Sequence, residues 1–67
     1  MYIKFSERLK ELRTGKNLTQ QQLADSVRMK RYNISDWEQG RTEPDISSII
    51  TLADFFTVTT DYLLGKE

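Results

Sequence analysis

Apolar residues recur every three or four positions along this chain and almost never alternate. Phe5, Leu9 and Leu12 fall at i, i+4 and i+7, which predicts a first helix over Phe5–Gly15. Asn17 is placed to end it, because Asn tolerates the left-handed conformation. Thr19 followed by Gln22 reads as a capping box, with Leu18 and Leu23 as the hydrophobic staple around it. Leu23, Ala24 and Val27 then form the buried side of a short second helix ending near Val27. Only Arg28, Met29 and Lys30 separate it from a third, within "RMKRYNISDWEQGR". That stretch has little to bury. At about 100° per residue, Ile34, Trp37 and Glu38 share one side, while Tyr32, Ser35, Asp36 and Gln39 fan out on the other. Gly40 stops the third helix and Pro44 lies in the loop after it. Asp45 is expected to cap a fourth, with Ile46, Ile49, Ile50, Ala53 and Phe56 as its core residues. Thr59, with a Val58–Leu63 staple, starts a fifth that ends at Gly65. Only "MYIKF" at the start alternates over a strand-like length.

The fold class is therefore all-α: a compact bundle of five short helices over residues 1–67, one domain with no linker and no repeat. Composition narrows the chemistry. The chain has no Cys and no His, so it lacks disulfides, thiolate metal sites, the usual general base and the commonest metal ligand. No phosphate-cradling glycine loop or convincing metal cluster appears, so neither an enzyme nor a cofactor is expected, and no small-molecule site is evident. No apolar run has the length of a membrane helix and no signal-peptide pattern opens the chain, which points to a cytoplasmic protein.

The net charge of zero at first argues against a nucleic-acid partner. Its distribution reverses that reading. Residues 1–41 carry nine basic side chains against five acidic ones, and residues 42–67 carry one against five. Such polarity holds a polyanion locally where the average cannot. The alternative is a solvated surface with accidental clustering.

The residues "LTQQQLADSVRMKRYNISDWEQGRTEPD", with "ERLKELR" before and "VTTDYLLG" after, resemble the phage repressor and Cro-like (Xre-type) helix-turn-helix family. The resemblance runs from about Phe5 to Gly65. It implies a lambda repressor-like domain with the helix-turn-helix proper at about residues 19–39, and a transcription regulator, most simply a repressor, on double-stranded DNA. Small Ala24 lets the third helix cross close to the second, and Ile34 and Trp37 dock it with its polar side free for the major groove. The family pattern assigns base reading to Lys30, Arg31, Tyr32 and Asp36, with Ser35 beside them. The Arg31 fork matches guanine O6 and N7. Tyr32 can donate to a base or phosphate, or pack on a thymine methyl; Asp36 can accept from a cytosine amino group or hold Arg31 or Arg41. Gln20 resembles a phosphate-gripping position at a positive helix end. Asn33, Gln39, Arg41 and Thr42 look like further phosphate contacts, with Gln21 a weaker one. Arg13 and Glu38 match a pair that ties the first helix to the end of the third.

Two departures stand out. Arg28 occupies the place of the usual turn glycine, at a strain of roughly 1–2 kcal/mol if φ stays positive. Lys30 replaces the usual small cap and cannot accept from free N–H groups. Both add positive charge beside the reading helix, which suits phosphate binding and adds Arg28 to the phosphate set.

One reading helix covers too few base pairs to find a site in a genome, so a homodimer on a palindromic operator is expected. Phe55, Val58, Tyr62 and Leu63 are its candidate surface, with completion of the monomer core as the alternative. A second class of function stays open: the same scaffold as a protein-interaction module, such as an antitoxin or adaptor.

Overall fold

The computed structural model describes residues 4–66. Five helices follow in chain order: α1 (Phe5–Gly15), α2 (Gln20–Val27), α3 (Arg31–Gln39), α4 (Ile46–Phe56) and α5 (Thr60–Leu64). Of "MYIKF", Phe5 opens α1; Met1 to Ile3 lie outside the described residues. Among the described residues, no helix is long and apolar enough to cross a membrane.

The helix starts follow side-chain chemistry. Thr19 Oγ1 accepts from the Gln22 backbone N–H at 3.0 Å while Gln22 Oε1 accepts from the Thr19 N–H at 2.8 Å, a complete capping box. Thr59 caps α5 by accepting from the Tyr62 N–H at 2.9 Å. Asp45 departs from expectation. It occupies the cap position of α4 without a side-chain cap bond of full geometry; its carboxylate accepts chiefly from the Ser47 and Ser48 hydroxyls, which hold it below the usual carboxylate range.

The helix ends share one device. A residue in the left-handed region follows each last turn, and the next N–H returns to a carbonyl five residues back: Leu18 to Arg13, Met29 to Ala24, Arg41 to Asp36, Val58 to Ala53 and Lys66 to Asp61. Gly40 and Gly65 adopt that conformation freely, whereas Asn17, Arg28 and Thr57 do so as non-glycine residues, each with φ of 57–59°. Thr57 is the strained one, because a β-branched side chain crowds this region most.

The core joins all five helices: Phe5 and Leu9 from α1, Leu23, Ala24 and Val27 from α2, Ile34 and Trp37 from α3, Ile49, Leu52, Ala53 and Phe56 from α4, and Leu63 from α5. Two expectations for α4 are corrected here. Ile46 is 73% exposed and Ile50 48%, so neither belongs to the core, while Leu52 does. The buried stripe runs through residues 49, 52, 53 and 56, and Ile46 and Ile50 lie about 70° and 110° off its centre. Leu63 is corrected as well: it has no exposed surface and cannot contribute to a dimer face.

The short α5 is held against α1. Arg8 Nη1 donates to the Tyr62 carbonyl, and its guanidinium lies 4.2 Å from the centre of the Tyr62 ring. A Cβ on Gly65 would stand 2.5 Å from Lys4 Cβ and 3.3 Å from the Lys4 backbone nitrogen, at φ of +89°. Gly65→Ala is therefore expected to destabilise the chain by about 1–3 kcal/mol. A thermal melt unchanged from the parent would show that α5 does not depend on this close approach.

Candidate nucleic-acid interface

The interface is built from α2, the turn after it, and α3. Helix α3 is anchored from beneath by Ile34 (fully buried) and Trp37, whose indole meets the Phe5 ring edge-on at a centroid distance of 6.2 Å. Buried Ala24 permits the close α2–α3 crossing. With that stripe fixed, Arg31, Tyr32 and Gln39 are exposed, and Asn33, Ser35 and Asp36 are half-buried. Tyr32 keeps 58% of its surface open, so its ring is no part of the core. Lys30 sits at the N-cap of α3 and makes no side-chain cap bond, which leaves the first N–H groups of the helix without a side-chain acceptor there. Arg28 is exposed at φ of 59°, so the turn keeps its left-handed geometry without glycine.

Beneath this face lies a charged knot. Arg13 donates from Nε to Glu38 Oε2 at 2.6 Å and from Nη2 to Glu38 Oε1 at 3.0 Å, a two-pronged pair. Its Nη1 donates to the Leu18 carbonyl at 2.8 Å. The Glu38 side chain is 3% exposed and that of Arg13 12%, and the carboxylate raises the Arg13 pKa above its already high ordinary value. Gln20 Nε2 also donates to Glu38 Oε1, at 3.1 Å. The Glu38 carboxylate thus fastens the end of α1 and the first residue of α2 to the last turn of α3, and the Arg13 guanidinium adds the loop between α1 and α2. The pair of Arg13 with Glu38 was readable from the resemblance. The Arg13 bond to the Leu18 carbonyl, five residues on, and the Gln20 link to Glu38, 18 residues on, were not, because both form only once the helices have packed.

The remaining predicted residues divide by contact. Gln39 Nε2 donates to Ser35 Oγ at 3.0 Å, so these two hold each other across one turn. Asp36 Oδ1 has Arg41 Nη1 at 3.7 Å, a loose pair with Arg41 largely exposed. Gln21 Nε2 donates one of its two amide N–H groups along its own helix to Asp25 Oδ1 at 2.8 Å. Lys30 Nζ lies 6.0 Å from the centre of the Tyr32 ring. Arg41 and Thr42 are exposed in the loop after α3. Of the dimer candidates other than Leu63, Phe55 is half-buried edge-on to Phe56, Val58 packs on the core, and Tyr62 lies under Arg8.

A helix-turn-helix domain profile matches residues 6–67, the whole of this arrangement. The chain belongs to the helix-turn-helix family, of the phage-repressor type. Among its relatives, the HTH-type transcriptional activator BcrR of Enterococcus faecalis is 48% identical over 65 residues, covering 97% of this chain and 32% of that protein. The HTH-type transcriptional regulator ImmR of Bacillus subtilis (strain 168) is 36% identical over 61 residues, with 91% and 48% covered. The immunity repressor protein of Bacillus phage phi105 is 30% identical over 61 residues, with 91% and 42% covered. The chain spans less than half the length of each of these three relatives.

Within this helix-turn-helix, two left-handed residues separate strain from function. Arg28→Gly and Thr57→Gly should each stabilise the fold by about 1 kcal/mol, since both relieve a positive φ. Arg28→Gly should also weaken DNA binding, whereas Thr57→Gly, on the far side of α4, should leave it unchanged. Melting curves and duplex titrations of the two variants check this; equal binding by both would remove Arg28 from the phosphate set.

Proposed function

We propose that this chain is a sequence-specific double-stranded-DNA-binding module of a transcription regulator, acting as a homodimer on a palindromic operator. The observation that carries the reading is α3 itself: anchored by two buried residues, tied at its end by Glu38, and open along a polar face that begins with Arg31 and Tyr32. A helix so presented fits the major groove of B-DNA, about 12 Å wide, where each base pair shows its own donor and acceptor pattern.

In this reading Arg31 addresses a guanine, and Lys30, Tyr32, Ser35 and Asp36 complete the base-reading set. Phosphates are gripped by Gln20, Arg28, Asn33, Gln39, Arg41 and Thr42, with Gln21 a weaker contact, and these fix register and supply much of the affinity. The Gln20 amide carries a second N–H beyond the one given to Glu38, and that donor is the one assigned to phosphate.

The relatives' names carry both signs of regulation. Repression is the simpler assignment, because occupying an operator that overlaps a promoter needs nothing beyond binding. The work is placed in the cytoplasm, at the nucleoid of a bacterial or phage-infected cell.

Selection of bound sites from random duplex DNA tests the proposal. The expected product is a two-fold motif with half-sites about 34–36 Å apart, bound by two chains. Retention of all sequences equally, with binding that simply falls as salt rises, would overturn it.

A further inference from the structure

We infer that Asp36 accepts from the amino group of a cytosine and thereby releases Arg41 to a phosphate, which couples base reading to backbone grip; the inference rests on the DNA reading proposed above. Asp36 stands one turn beyond Tyr32 on the polar side of α3, away from Ile34 and Trp37. Its Oδ1 lies 3.7 Å from Arg41 Nη1, too far for a hydrogen bond. The Arg41 side chain is 67% exposed and that of Asp36 31%. An exposed ion pair of this length contributes little to stability, so the guanidinium is free to leave. The backbone beneath it is not. Gly40 holds the left-handed turn at φ of 74°, and the Arg41 N–H donates to the Asp36 carbonyl at 2.9 Å. Arg41 is thus fixed at its root and loose at its tip.

The carboxylate is selective because it can only accept. Guanine presents O6 and N7 to the major groove and thymine presents O4, all acceptors that repel it. Adenine has an amino donor but sets the N7 acceptor beside it. Cytosine offers its N4 amino group with no acceptor on the same edge. On a cytosine, Asp36 gains an N–H donor and Arg41 can pair with a phosphate. On any other base, losing Arg41 would leave the carboxylate desolvated among acceptors, which is costly. Asp36 therefore keeps the guanidinium there, and one phosphate goes ungripped. The right base adds two contacts, one to its own edge and one to the backbone.

The looseness of the pair is what this role requires. A purely structural tie is short and enclosed, as Arg13 and Glu38 are at 2.6 Å. A carboxylate with no cation beside it would weaken binding to DNA of every sequence. Arg41 shields the charge of Asp36 until a base replaces the shield.

The test uses the full chain, Asp36→Ala and Arg41→Gln, with melts to confirm folding. Site selection by the parent and by Asp36→Ala should differ at one pair, where the parent demands cytosine and the variant is indifferent. Placing N4-methylcytosine there keeps the base paired but puts a methyl group where the free N–H was. That change should weaken the parent by about tenfold and leave Asp36→Ala unaffected. Arg41→Gln should lower the slope of log affinity against log salt by about one on the selected duplex and leave it unchanged on random DNA. In Asp36→Ala the slope on random DNA should rise by about one, because Arg41 is then free on every sequence. Unchanged preference at every pair in Asp36→Ala would overturn the inference, as would a relaxed pair that is not cytosine. Equal slope losses for Arg41→Gln on both duplexes would overturn the release of Arg41. These results leave the DNA reading standing, whereas a parent that binds no duplex would overturn both.

Discussion

Arg13→Ala is expected to cost about 3–5 kcal/mol of stability, the range for stranding one partner of a buried ion pair. The Glu38 carboxylate, 3% exposed, would lose two of its three hydrogen bonds and keep only the Gln20 amide. The Leu18 carbonyl would lose its donor as well. A chain of this length has a total stability of about 3–10 kcal/mol, so the variant should lose about a third of it or more. Glu38→Ala should cost less, because Arg13 is the more exposed partner and keeps the Leu18 carbonyl. The double variant should lose clearly less than the sum of the two, since neither charge is then stranded. Thermal melts of all three decide the matter, and additive losses would mean that the pair contributes no coupling.

The second large effect falls on DNA. Arg31→Ala should weaken binding to the selected site by about 1–3 kcal/mol and relax preference at a single base pair. Gln20→Ala should instead weaken selected and random duplexes alike, and leave the slope of log affinity against log salt unchanged, because a neutral amide displaces no counterion. Because Gln20 also donates to Glu38, a melt must accompany the measurement, and a loss of stability would be charged to that bond. Equal losses for Arg31→Ala on specific and random DNA would assign Arg31 to phosphate.

Local chemistry made most of the fold legible. The capping box at Thr19, the left-handed Asn17 and Gly40, and the narrow stripe of Ile34 and Trp37 each follow from neighbours in sequence, and the structure places them as read. Helix α4 was misread for a physical reason. It carries Ile46, Ile49, Ile50, Leu52, Ala53, Phe55 and Phe56 within 11 residues, so periodicity alone cannot choose which stripe faces in. Packing against α2 and α5 made that choice. Thr57 gave no signal either, because nothing local favours a β-branched residue at positive φ; the return bond from the Val58 N–H to the Ala53 carbonyl holds it there.

At the site, residue types were readable and their partners were not. The charge of Arg28 and Lys30 beside α3 is plain in the sequence, but whether Asp36 meets Arg31 or Arg41 depends on loop geometry after Gly40. The same holds for Gln20, whose link to Glu38 exists only once α2 and α3 have crossed at Ala24.

The central claim, that α3 presents its polar face to the major groove, is tested most directly by nuclear magnetic resonance. Titrating the ¹⁵N-labelled chain with a selected duplex should shift the backbone amides of residues 28–42 and those at the start of α2 most strongly. Side-chain signals of Arg31 and Gln20 should move with them, and the inner face of α5 should stay still. Large shifts confined to α4 and α5, with the amides of Arg31 to Gln39 unmoved, would contradict the account.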